Sequence, residues 1–285
     1  MRVIFTIVAA AASFVTSCAQ AETTACTAIT AVPTTISVQG VYCLKNNLST
    51  NAVSGAAITV TSNHVTIDFN GFKLGGLGGG SSSTTIGILS SNASFLSVRN
   101  GAIKGFHSGI VLAWGANNLI EDMQVDGSLS RGIAISEADT TILRRNRVTN
   151  TGTPSSQYIY GISATGTSSN RNNIITDNMV SGIYANSFGI GIAFQNARQL
   201  EISDNTITNI TGESSNTLAI YAFPPLSGYP SNEMRAVIRH NMLINTGAGF
   251  GIGIEGGTAI CTDNSILGFA TGIISCAVSA RNDVM

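Results

Sequence analysis

One short pattern recurs through most of this chain and leaves few folds open to it. Written Φ-x-Φ-x-x-Asn-x-Φ, with Φ apolar or small, it runs through Leu200, Ile202, Asn205 and Ile207, and again through Ala236, Ile238, Asn241 and Leu243. Ala259, Cys261, Asn264 and Ile266 follow the same grammar, as do Val65, Ile67, Asn70 and Phe72. Looser copies put Asn46, Asn146 and Asn178 at the anchor, and Gly101 and Met123 stand there in two more. The nine anchors at 46, 70, 101, 123, 146, 178, 205, 241 and 264 are separated by 24, 31, 22, 23, 32, 27, 36 and 23 residues. A base period of 22 to 24 residues, sometimes enlarged, is the signature of a stacked repeat.

A second motif runs out of phase with the first. Gly-Ile, followed by alternating small and apolar residues, occurs at Gly87, Gly109, Gly132, Gly161, Gly189, Gly251 and Gly272. Insertions collect between an anchor and the next Gly-Ile, at 73–86, 150–160 and 209–218. A further one spans Tyr221 to Arg235. Ile, Val and Thr alternate with small or polar residues in runs of three to five, the period-2 pattern of a half-buried strand. Asn and Gly every few residues would break helices but suit tight corners. A unit of 22 residues accommodates three short strands and three turns, one rung of a parallel β-helix. Leucine-rich repeats share the period, but their leucine spacing is missing. Eight to nine rungs at a strand spacing of about 4.8 Å make a rod roughly 40 Å long.

The anchor asparagine has a physical task in such a stack. It lies between two inward residues at a corner, so its amide can bond to the next rung and to turn backbone that water cannot reach. The ladder expected is Asn46, Asn70, Asn146, Asn178, Asn205, Asn241 and Asn264. Gly101 suggests a left-handed backbone at the anchor, which Asn and Gly both tolerate. Met123 interrupts the ladder and predicts a local irregularity.

Composition narrows the partners. Lys plus Arg number 14 against 15 Asp plus Glu, and only 10% of residues are charged, so no clustered basic surface points to nucleic acid. Met1-Arg2, the apolar run Val3 to Val15 and the Ala19-Gln20-Ala21 site read as a signal peptide over 1–21, with the mature chain starting at Glu22. Val15-Thr16-Ser17-Cys18 also resembles a lipobox, which would anchor the protein through Cys18. No later apolar run is long enough to span a bilayer as a helix. The protein is thus expected to be secreted or periplasmic. Of three possible pairings, an extended stack favours the two local disulfides, Cys26 with Cys43 and Cys261 with Cys276, as end staples. The domain reading is a cap at 22–35, a β-helix at 36–276 and a tail at 277–285.

These rungs resemble the right-handed parallel β-helix repeats of the pectate-lyase-like superfamily. Gly40-Val41-Tyr42-Cys43-Leu44, followed by Val65-Thr66-Ile67-Asp68-Phe69-Asn70-Gly71, looks like the opening of secreted bacterial members. The resemblance implies the right hand, and a function in contact with an extended polysaccharide or cell-surface glycan. If the protein is an enzyme, it implies a polysaccharide lyase or glycoside hydrolase acting on a polyuronate-like polymer. A non-catalytic adhesion or structural protein of the cell surface or matrix is the alternative. The Asn-Thr-Asp, Asp-Asp, Gly-His-Gly and Arg-x-Lys segments of polygalacturonases are missing, as is the Arg-x-Pro-x-x-Arg segment of pectate lyases. The Asp-Pro-His-Asp segment of alginate epimerases is missing too.

Candidate sites therefore come from columns, since residues in one register stack a strand spacing apart. One position before the anchor, Asp177, Asp204, His240 and Asp263 line up as an acid/base set or a calcium site. Solvated turn residues are the competing reading, and no metal or other cofactor is otherwise expected. Two positions before it, Asp68, Arg99, Glu121 and Arg144 alternate in sign like an outward ion ladder. Lys73, Lys104 and Asp126 are read as a further column. Around the enlarged corners, Trp114, Tyr158, Tyr160, Tyr221, Phe223 and Tyr229 offer flat faces for sugar rings.

Overall fold

The computed structural model describes residues 25–153, 157–166, 171–212, 216–224, 235–246 and 251–285. The proposed signal peptide, Cys18 and Tyr229 lie outside them. Every paired strand among the described residues is parallel to its neighbour, and the strands form one sheet of nineteen and one of ten. The first sheet folds at a corner inside each rung, so the coil has three faces. Ser97–Lys104 and Leu119–Asp126 run through that corner as single strands, whereas Ile142–Arg144 and Arg147–Gly152 are separate strands on either side of it. The second sheet closes the coil with one strand per rung. Its ten strands exceed the eight to nine rungs expected, because Thr34–Ile36 opens the stack ahead of the first anchor and pairs with Ala56–Val60.

Inward columns make the core. Ile67, Val98, Ile120, Leu143, Ile175, Ile202, Ile238 and Cys261 succeed one another in register, all buried. The last of them is bonded to Cys276, and Cys26 is bonded to Cys43 at the other end, so both staples form as expected.

The asparagine ladder is present over the second half of the rod. Asn146, Asn178, Asn205, Asn241 and Asn264 are buried, and each donates from both its backbone N and its Nδ2 to the Oδ1 of the next, at 2.9–3.0 Å. Each Nδ2 also reaches back to a carbonyl of the preceding rung, as from Asn205 to Ile175 at 2.8 Å. The run continues past 276 to Asn282, whose Oδ1 receives Asn264. The strands Val278–Ala280 and Asp283–Val284 extend the first sheet to the same point. At the other end the ladder stops at Met123, which offers only its backbone N to Asn146, at 3.1 Å.

Asn46 and Asn70 do not join it; both are exposed. Asp68 pairs with Arg99 but Lys73 pairs with Ala102, so Phe69 to Phe72 span a corner that Asn100 and Gly101 span in the next rung. In that wider corner Phe69 turns inward and fills the space. A Cβ on Gly101 would overlap Phe69, which is why glycine stands there; the left-handed residue is the one before it. The same pairing separates Lys73 from Lys104, which lies opposite Gly75.

The Gly-Ile motif also has a steric origin. A Cβ on Gly109, Gly132 or Gly161 would run into Val125, Val148 or Val180 across the core. In two rungs the motif is doubled, and the register selects Gly191-Ile192 and Gly253-Ile254 over the Gly189 and Gly251 pairs.

Candidate functional site

Asp177, Asp204, His240 and Asp263 share a column as expected, and its backbone explains their identities. Asn100, Asp122, Arg145, Asp177, Asp204, His240, Asp263 and Arg281 all have φ between 51° and 60°. That is the left-handed corner of the first sheet, a conformation in which Asn, Asp and His are enriched. The corner is convex, and the side chains satisfy one another along it. Arg145 bonds both oxygens of Asp122 at 2.9 and 2.8 Å, and Arg281 bonds both of Asp263 at 2.7 and 2.8 Å. The Arg281 hydrogen bonds hold the Asp263 carboxyl below its usual range. Asp204 and His240 are exposed and 3.9 Å apart, while Asp177 accepts a bond from Thr176. Among the described residues, no three His, Cys, Asp or Glu side chains come together as they would around a metal ion.

The neighbouring column is the ion ladder anticipated from its alternating signs. Arg99 meets Asp68 at 3.0 Å and Arg144 meets Glu121 at 2.8 Å. Lys104 and Asp126 pair at 2.8 Å. Burial pushes Asp126 up, but hydrogen bonds from Lys104, Asn150 and Thr149 outweigh it and leave the carboxyl below its ordinary range. The Lys104 ammonium is raised by the same bond, the opposite of what a catalytic base requires.

The outer face of the second sheet is different. Tyr158, Tyr160, Tyr221 and Phe223 gather there with Phe188, which sequence columns did not bring out. Tyr158 stacks on Phe188 with ring centroids 5.1 Å apart, and Phe223 lies 4.6 Å from Tyr221 and 6.1 Å from Tyr160. They sit over a small apolar cluster of Ile190, Ala193 and Leu218, buried although outside the main core. Trp114 does not join them. It is the left-handed residue that ends the strand Ser108–Ala113, exposed and two strands along the rod from Tyr158–Thr165.

Arg131 enters this face by register. It stands one residue before Gly132-Ile133, as Tyr160 stands before Gly161-Ile162, and the two pair across adjacent strands. Its guanidinium carbon lies 5.7 Å from the Tyr160 ring centre. Among the described residues no carboxylate comes within ion-pair distance of it. Burial, aided by the Arg131 charge, holds His107 below its ordinary value, so that ring adds no second charge at neutral pH. A cleft of about 250 Å³ opens here, lined by Arg131, Tyr160, Ser163, Thr165, Gln195 and Phe223. Phe223 is held by its N–H to Phe194 O at 2.8 Å, and the next residue by Gln195 Nε2 to Pro224 O at 3.0 Å. On the far side of the Phe223 ring is a second cavity of about 180 Å³ containing Glu255. Burial raises that carboxyl above its usual range; burial and the Glu255 charge raise the Tyr221 phenol. A third hollow, about 500 Å³, lies on the first sheet, lined by Leu200, Val237, Ile260 and Val278 together with Glu201 and Arg235, and no aromatic ring lines it.

Three parallel faces and inward columns define a parallel β-helix. The sequence pattern described as "Right handed beta helix region" matches residues 14–189, more than half of the chain, and the protein belongs to that family. No curated protein matches it. Among solved structures, the Agl-KA catalytic domain is similar at 17% identity and a TM-score of 0.54, over 81% of this chain and 48% of that one. The enzymatically active domain of tailspike protein 2 from bacteriophage CBA120 is 11% identical with a TM-score of 0.51, over 84% and 47%. The periplasmic alginate epimerase AlgG is 10% identical with a TM-score of 0.51, over 88% and 55%. The chain thus spans about half the length of each, and at these identities the likeness is one of fold. Among the described residues no helix is long and apolar enough to cross a membrane.

Proposed function

We propose that this protein binds an extended, acidic polysaccharide along the outer face of its second sheet. The observation that carries the reading is Arg131: a guanidinium with no carboxylate partner among the described residues, set against an aromatic ring at the mouth of a polar-floored cleft. Aromatic faces suit the apolar faces of sugar rings, Ser163, Thr165 and Gln195 suit hydroxyls, and a guanidinium fork suits a uronate carboxylate. Repetition at a strand spacing of about 4.8 Å favours a ligand that is itself a polymer. The solved alginate epimerase of similar fold supports the ligand class.

The reading is one of binding. The acid/base candidates of the first sheet point away from this face and are engaged with their own neighbours, which supports a surface or matrix role over turnover. The two disulfides suit an oxidising compartment and support export. Titration calorimetry with alginate and polygalacturonate oligosaccharides tests it. Saturable binding that falls about tenfold in Arg131→Ala and in Phe223→Ala is expected, from the loss of one charge-assisted contact or one stacking face. Absence of binding to both acidic series, or binding indifferent to both substitutions, would overturn it.

A further inference from the structure

The cavity beyond Phe223 has the opposite character from the Arg131 cleft. Its walls include Phe194, Phe223 and Pro224, and among the described residues Glu255 is the one charged residue that lines it. The floor is the Gly256-Gly257 turn, packed so closely on the Cys261–Cys276 disulfide that a Cβ on Gly256 would strike both sulfurs. Gly257 has φ 58°, a left-handed conformation. The cavity is therefore built on the disulfide-stapled end of the rod.

Glu255 stands out among the carboxylates. Asp68, Glu121, Asp122, Asp126, Glu201 and Asp263 are each bound by an arginine or lysine. Glu255 has no such cation and no hydrogen bond among the described residues. It pairs in register with Tyr221, whose ring lies edge-on to Phe223. A half-buried carboxylate in a cavity that Phe194 and Phe223 also line is the chemistry that receives an ammonium: aromatic faces attract the cation and the carboxylate accepts its N–H hydrogen bonds.

We propose that this cavity seats the ammonium group of an amino sugar, so that the glycan recognised carries positive and negative charges on different units. The inference rests on the polysaccharide reading above and adds the second charge to it. Arg131 and Glu255 lie four strands apart, from Arg131–Ser136 through Tyr158–Thr165, Phe188–Gln195 and Thr217–Ala222 to Ile252–Glu255. That is roughly 19 Å along the rod at the strand spacing, beyond the span of one monosaccharide. One oligomer laid past Phe223 reaches both.

Oligosaccharides of alternating glucuronate and glucosamine, obtained by N-deacetylating heparosan, separate the two claims when compared with their N-acetylated parents. The free-amine series is expected to bind the wild-type protein about tenfold more tightly than the acetylated one, the equivalent of one desolvated ionic contact. Glu255→Gln, nearly isosteric, should abolish that preference while leaving the acetylated series bound as before. Arg131→Ala should weaken both series. A seated ammonium would also restore the Glu255 carboxylate that burial disfavours, so binding near pH 5 should release protons, read from the heat in buffers of different ionisation enthalpy. Equal affinity for the two series, or a preference for the amine that survives Glu255→Gln, would overturn the inference and leave the Arg131 cleft standing. Failure of both series to bind while alginate or polygalacturonate oligosaccharides still bind would overturn the inference alone, and failure of all four would remove both readings.

Discussion

The left-handed corner of the first sheet and the outer face of the second both carry charged residues, in one column on the corner and singly on the other face, and they differ in what those charges meet. On the corner, Asp122 meets Arg145 and Asp263 meets Arg281, and between these pairs Asp204 and His240 stand exposed to solvent. On the other face, Arg131 meets a tyrosine ring and Glu255 meets aromatic walls. Stacking identical rungs brings like positions together, so a column is tolerable only if its charges alternate or are screened by solvent. The corner follows that rule and is accounted for by the fold. On the second sheet Arg131 and Glu255 have no such partner among the described residues, and they are the two positions that the proposed glycan would engage.

The largest expected effects fall where both regions share a core. Ile202→Asp places a charge without a partner in the inward column and should cost several kcal/mol, enough to abolish the cooperative unfolding transition. Asn205→Ala strips the acceptor from two Asn178 donors and should cost about 3 kcal/mol, whereas Asn70→Ala, which loses one hydrogen bond to Leu44 O and an asparagine suited to its left-handed backbone, should cost about 1 kcal/mol. Chemical denaturation of the three variants checks this order; similar losses from Asn205 and Asn70 would break it.

The next effects divide the two regions. Arg131→Ala and Phe223→Ala are expected to weaken oligosaccharide binding about tenfold, while Asp204→Ala and His240→Ala leave it unchanged. A loss at His240 equal to that at Arg131 would move the site to the corner. The smallest effects concern pH and have opposite signs in the two places. Hydrogen bonds from cations depress Asp122, and those from Lys104, Asn150 and Thr149 depress Asp126, so their contribution is present at neutral pH and is lost as the pH falls through and below the ordinary carboxylate range. Glu255 is raised, so its ionisation opposes folding as the pH rises through its folded value. Glu255→Gln should therefore raise the unfolding temperature slightly at neutral pH and not in acid, and Asp126→Asn should flatten the acid side of the stability profile. Thermal melts across pH distinguish them.

Repetition decided how much of this could be read from the residues alone. Asn146 to Asn264 obey one spacing rule, and the structure puts all five in one buried file. Asn46 and Asn70 obey the same rule but fail, because wider corners let Leu44 and Phe69 take the buried places, and corner width has no local spelling. Gly101 was legible as a constraint but not as a steric one, since the ring that requires it lies in another rung. The doubled Gly-Ile at 189–192 left two registers open, and only pairing with Gly161-Ile162 chooses. Arg131 was recoverable from its place before Gly132, whereas Glu255 follows Gly253-Ile254 where Ala134, Ser163 and Tyr221 follow theirs, and it acquires its character from burial and from what surrounds it.

Hydrogen exchange with a bound acidic oligosaccharide tests the central claim most directly. New protection should appear in Tyr158–Thr165, Phe188–Gln195 and Thr217–Ala222, with the corner residues 176–179 and 203–206 exchanging as in the free protein. Protection confined to that corner, with the second sheet unaltered, would contradict it.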